Sequence, residues 1–183
     1  MTKPNRQGII FSICLIGLIV AGFAVQVFAW PQLSRFGLVP RRAWGLVGIV
    51  TMPFLHASIG HLLANLSALV VLLGFIFAFH SKRLSEVVIR VILIGGSLLW
   101  LFGRQHIHIG ASGLVYGLAA FVIVSGIVQR KFLPVAAAMG VAVMYGSSLF
   151  WGLVPVNPAI SWEGHLAGGL AGAFVGRKKG GRR

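Results

Sequence analysis

Ser112 lies between Gly110, Ala111 and Gly113 in the stretch HIGASGLVYG (108–117), and His165 lies in SWEGHLAGG (161–169). A serine hydroxyl is a weak nucleophile until a base takes its proton, and histidine can take it near neutral pH. His61 and Asn65 stand four residues apart in HASIGHLLAN (56–65), so a helix would project both from one face. Their imidazole and amide groups can donate to a developing oxyanion, as can the backbone N–H of Ser112 at a helix start. Tyr116 stands in the same i, i+4 relation to Ser112. No acid completes a triad. The two acidic residues are Glu86 and Glu163, and Glu163, two positions before His165, projects elsewhere and is expected to stabilise the start of its helix. The chemistry these residues could perform is acyl transfer by a serine–histidine dyad, which needs no cofactor and no metal.

A serine in an apolar helix commonly bonds back to its own backbone, the reading expected for Ser67, Ser97 and Ser125. What sets Ser112 apart is its position among the elements. Of the 183 residues, 57% are apolar and 10% charged, with a mean hydropathy of +0.93. A soluble domain would carry about 25% charged residues. The net charge of +14 sits in short clusters between apolar runs rather than as a stripe, which excludes a nucleic-acid surface. Cys14 is the single cysteine, so no internal disulfide and no cysteine metal site can form.

Six apolar runs, 9–30, 59–79, 87–102, 110–128, 132–151 and 164–176, read as membrane spans. The first is too long for a signal-peptide core, and the last is short, about 20 Å of helix. With the N-terminus inside, the inner side collects Lys3, Arg6, Lys82, Arg83, Arg90, Arg130, Lys131, Arg177, Lys178, Lys179, Arg182 and Arg183. The outer side keeps Arg35, Arg41, Arg42 and Arg104, so both termini are expected in the cytoplasm. The expectation is one all-α polytopic domain over 1–183, with a basic N-terminus (1–8) and a basic tail (177–183). The longest connection, 31–58, is expected to be an ordered interfacial loop flanked by Trp30 and carrying Trp44.

In this arrangement the second, fourth and sixth spans all begin at the outer boundary. His61 and Asn65 fall in the first two turns of the second, Ser112 is the third residue of the fourth, and His165 the second of the sixth. Four polar residues therefore share one depth, whereas a histidine-lined transporter would distribute them across the membrane. Gly164, Gly168, Gly172 and Gly176 form a stripe at four-residue spacing, matched by Gly113 and Gly117. Facing stripes of this kind bring backbones close in lipid and would bring Ser112 to His165. The glycines around Ser112 would let a substrate backbone approach. His106 and His108 read as solvated loop residues. The absence of aspartate removes an aspartyl mechanism, and no H-E-x-x-H pair is present.

HASIGHLLAN, GASGLVYG and SWEGHLAGG, in this order on the second, fourth and sixth spans, resemble the motifs of the rhomboid family of intramembrane serine proteases. The resemblance implies a six-helix bundle in which Ser112 is the nucleophile and His165 the base. It assigns the oxyanion hole to His61, Asn65 and the Ser112 backbone, packs Tyr116 against His165 to hold its ring, and makes Gly168 a point of helix contact. It gives His56 a structural role beneath the first outer loop, with Gly110 and Gly113 supporting the nucleophile. Its partners would be the lipid bilayer and transmembrane-protein substrates, cut near the extracytoplasmic face of a bacterial inner membrane at helix-weakening Gly or Pro. The fifth span and the segment 152–161 would control access. One departure stands out: the family often has a Trp-Arg pair where this chain has Val47 and Gly48, so the first outer loop is expected to pack differently. A catalytically inactive, helix-binding relative is the alternative within the same fold.

Overall fold

The computed structural model of the protein describes residues 6–156 and 160–177. Lys3, Lys178, Lys179, Arg182 and Arg183, counted above for orientation, lie outside the described residues, as does the middle of the 152–161 connection. The elements are helical: α1 (Arg6–Ala24) running on into a π-helical turn (Val25–Ala29), the four-residue α2 (Gly48–Thr51), α3 (Ile59–His80), α4 (Leu84–Phe102), α5 (Ser112–Gln129), α6 (Phe132–Leu153) and α7 (Trp162–Gly176). Among the described residues the only β pairing is an isolated bridge between Leu38 and His108.

Uninterrupted apolar sequence favours helices here because each backbone group finds its partner inside its own segment, leaving nothing to desolvate in lipid. Large apolar side chains also face outward: Phe28 is 87% exposed, Val143 82% and Ile13 66%. Such a surface suits a hydrocarbon environment rather than water. Three stretches are long and apolar enough to cross a membrane, Arg6–Ala29, Ile59–Phe102 and Ser112–Gln129. The second has 44 residues, about 66 Å if straight, twice what one crossing uses. It breaks at the 3-10 turn Ser81–Arg83 into α3 and α4. Arg90, inside the third expected span, is partnered on its own helix by Glu86 at 3.2 Å.

The core is built by α3, α4 and α5 around Leu69, Leu72, Ile76, Leu84, Val87, Leu118 and Phe121, all fully buried. Helix α7 lies against α5 along a seam without side chains. A Cβ at Gly168 would overlap the Gly113 carbonyl, and one at Gly172 would overlap that of Gly117. Reciprocally, one at Gly113 would come within 3.1 Å of the Gly164 oxygen. The two stripes noted in the sequence do face each other.

The 31–58 connection is folded throughout, with 3-10 turns at Pro31–Phe36, Ala43–Val47 and Met52–Phe54. Gly48 explains its departure from the family pattern. A Cβ there would overlap the backbone of Leu38, so no larger residue fits while α2 sits this close. Arg41 supplies an anchor instead: its Nη1 donates to the carbonyls of Leu101 and Gly103 at 3.1 and 2.8 Å. Trp100 Nε1 returns a bond to the Arg42 carbonyl at 3.0 Å. Trp30 and Trp44 remain half-exposed on this loop.

Candidate active site

Helix α5 begins at Ser112 itself, two residues later than the apolar pattern suggests, because Gly110 leaves the helical region with φ +117°. Only glycine adopts that conformation without strain. The space a side chain would take at Gly110 is filled by the His61 ring, 2.6 Å from the position of a Cβ. Gly110 therefore accommodates His61, and Gly113 accommodates α7. Starting the helix at Ser112 leaves its N–H among the first-turn donors that have no intrahelical acceptor.

Ser112 Oγ lies 2.9 Å from His165 Nε2. His165 Nδ1 lies 2.7 Å from the carbonyl oxygen of Gly152, the last residue but one of α6. A carbonyl only accepts, so Nδ1 carries the ring hydrogen and Nε2 presents a lone pair to the Ser112 hydroxyl. Tyr116 lies flat on His165, with ring centroids 4.1 Å apart and planes 7° apart. Between the stacking and the carbonyl, the imidazole is held in plane and in tautomer without a carboxylate. Gly152 has no room for a side chain, since a Cβ would overlap the Tyr116 hydroxyl. Its part was illegible in the sequence, because a backbone carbonyl carries no residue-type signal.

These groups open on a pocket of about 540 Å³ lined also by His61, Asn65, Val115, Ile109 and Ile160. Asn65 is 5% exposed, and its Nδ2 is a buried donor without a hydrogen-bond partner among the described residues. Buried amide donors are seldom left so, and this one belongs to the pocket that Ser112 faces. His56 is fully buried behind His61, their rings edge to face at 5.2 Å. Its Nε2 accepts from Ala111 N–H at 3.4 Å, bracing the residue before the serine, and its own backbone is gripped by the Gln26 amide at 2.8 and 3.1 Å. Burial, with His61 nearby, holds the His56 imidazole down at about 4, so it is neutral at pH 7.

The loop between α4 and α5 differs from expectation. His106 is exposed, but His108 is buried: its Nδ1 meets Ser161 Oγ at 2.6 Å and its Nε2 meets the Arg104 carbonyl at 3.0 Å. Burial pushes the His108 imidazole below its ordinary value. Ser161 Oγ also caps α7 by accepting from Gly164 N–H at 3.2 Å. Glu163, read from the sequence as a helix-start charge, is held by Arg104 through Nε at 2.5 Å and Nη2 at 3.0 Å. The loop is thus bolted to the start of the helix that carries His165. His106, His108 and Glu163 bring ligand atoms within 4.8 Å of one another, spacing a metal ion could use. Both Glu163 oxygens and both His108 nitrogens are already bonded, however, and the Arg104 cation occupies the carboxylate. Glu163 and His108 belong to a completed hydrogen-bond network.

Comparison with known proteins places this geometry. A profile of the rhomboid domain matches residues 41–181. The chain belongs to the rhomboid family. It is an integral membrane protein, and rhomboids are typically serine proteases acting on membrane proteins. Relatives include uncharacterized proteins of Mycobacterium bovis and Mycobacterium tuberculosis, each 36% identical over 154 residues, covering 79% of this chain and 63% of theirs. One of Mycobacterium leprae is 39% identical over 140 residues, covering 71% of this rhomboid and 55% of its own length. The rhomboid described here spans less than two thirds of the length of these relatives.

Proposed function

We propose that this rhomboid is an active intramembrane serine endopeptidase. The observation that carries the reading is the Ser112–His165 contact of 2.9 Å with Nδ1 committed to the Gly152 carbonyl. Ser112 Oγ attacks the scissile carbonyl carbon while its proton passes to His165 Nε2. The oxyanion takes hydrogen bonds from Asn65 Nδ2, His61 and the Ser112 N–H. Collapse expels the amine, which takes the proton from Nε2, and leaves the acyl group on Ser112. Water, deprotonated by the same base, then releases the carboxylate product. The chain would cross a bacterial inner membrane six times with both termini in the cytoplasm, which puts the pocket at the extracytoplasmic end. A helix hides its carbonyls in internal bonds, so substrates should carry Gly or Pro near the cut.

The test needs no substrate. A fluorophosphonate reacts by attack of an activated serine on phosphorus with loss of fluoride. Wild type in mild detergent should be labelled, while folded Ser112→Ala and His165→Ala should not. A membrane-impermeant version applied to intact spheroplasts should label as well if the pocket faces outward. A folded wild type that stays unlabelled in both detergent and lipid would refute the reading and favour a helix-binding protein without turnover.

A further inference from the structure

The dyad is not confined to the helices that carry it. Nucleophile and base sit on α5 and α7, which are locked together along their glycine seam. The group that sets the tautomer of the base belongs to a third helix, α6, which is attached quite differently. Near its start, α6 is pressed into α5, where a Cβ on Gly126 would come within 2.5 Å of the Pro134 carbonyl and 2.8 Å of Ala138. Along its outer half it leaves Val143, Met144, Phe150 and Trp151 exposed, and added Cβ atoms at Gly140 and Gly146 would meet nothing within 4 Å. Val141, fully buried, and Tyr145 hold its middle to the core, and its last turn makes close contact again at Gly152, against Tyr116 and His165.

We propose that Gly152 is a positioning residue for the base, and that the seating of the last turn of α6 switches the dyad between a competent and an incompetent state. This rests on the protease reading above. Val141, the last fully buried anchor of α6 among the described residues, and Gly152 are about 16 Å apart along the helix. A tilt of roughly 7° about the Val141 contact therefore carries Gly152 about 2 Å, enough to break a hydrogen bond. With the carbonyl withdrawn, nothing holds the ring hydrogen on Nδ1. The tautomer with hydrogen on Nε2 aims a donor at Ser112 and cannot accept its proton. Tyr116 keeps the ring plane in either case, so the switch acts on the proton rather than on the position of the imidazole. A substrate helix or lipid that leans on the exposed outer half of α6 thereby acts on the chemistry without touching Ser112.

Two measurements on the full chain in detergent test this. The first is ¹⁵N NMR of labelled histidine in wild type at pH 8, with the His165 signals assigned by their loss in His165→Asn. The expected state is a single tautomer protonated at Nδ1; a ring protonated at Nε2, or a mixture of both, overturns the proposal. The second compares fluorophosphonate labelling rates of Gly152→Ala and Gly146→Ala. The added methyl at Gly152 must push the end of α6 away, so labelling should fall at least tenfold and the His165 signals should move toward the mixed tautomer, with helicity retained. Gly146→Ala, on open helix surface, should label like wild type. A Gly152→Ala protein that labels at the wild-type rate with an unchanged tautomer refutes the switch. If wild type does not label at all, the protease reading fails, while the NMR result still decides whether Gly152 sets the tautomer.

Discussion

Asn65 is the residue whose surroundings fit folding least and chemistry best. Its Nδ2 is buried without a partner, a situation that costs about 1–3 kcal/mol for an ordinary amide. Replacing it by alanine removes that cost and leaves a small cavity, so Asn65→Ala should hold stability within about 1 kcal/mol of wild type. Losing an oxyanion donor should slow acylation by about 10²-fold. Unfolding curves and fluorophosphonate labelling rates on the same preparation check both halves, and a variant that loses stability but labels normally would assign Asn65 to the core. His61 sits beside it over Gly110, a position that would be closed to it by any other residue there.

At the scale of elements, the α5–α7 seam determines whether Ser112 meets His165. Gly172→Ala would drive a methyl into the Gly117 carbonyl and should destabilise the protein by about 1–3 kcal/mol, with labelling falling in parallel. Gly169→Ala, one turn away with nothing within 4 Å, should be neutral or slightly stabilising. Equal unfolding midpoints for the two variants would contradict the seam. This seam was legible in the sequence, because a four-residue repeat of a side-chain-free residue on two apolar helices has few other uses. That His61, Asn65, Ser112 and His165 would meet was legible too, since all four fall near the starts of apolar runs, and they line one pocket. The contacts of the connecting loops were not. His108 with Ser161, Arg104 with Glu163 and Arg41 with the Leu101 and Gly103 carbonyls join residues 53 to 62 positions apart, with no periodicity to announce them. His108 looked solvated because a loop histidine gives no sign of the neighbour that buries it. Gly152 could not be found by residue type, since it acts through its backbone.

In the whole molecule, two buried histidines outside the long apolar helices, His56 and His108, make stability depend on pH. His56 titrates at about 4 in the folded chain against an ordinary 6.5, and His108 is shifted in the same direction. Between those values the unfolded chain binds more protons than the folded one, so stability is full above pH 6.5 and declines as the pH falls toward 4. Each histidine contributes at most about 1.4 kcal/mol per pH unit within its window. Detergent unfolding of wild type at pH 7.5, 6 and 5 should show this decline, and His56→Gln should show a shallower one. A wild-type curve flat from pH 7.5 to 5 would rule it out.

The glycine seam has a consequence for how such a protein can change over generations. In an ordinary core, a residue that grows can be rescued by a neighbour that shrinks. Along α5 and α7 the neighbour of Gly168 is the carbonyl of Gly113, and the neighbour of Gly172 is that of Gly117. No mutation makes a carbonyl smaller. An enlargement at either position has no compensating partner and can be absorbed only by parting the helices, which also parts the serine from its base. Lineages that keep the dyad are held to these glycines by the absence of any second-site repair.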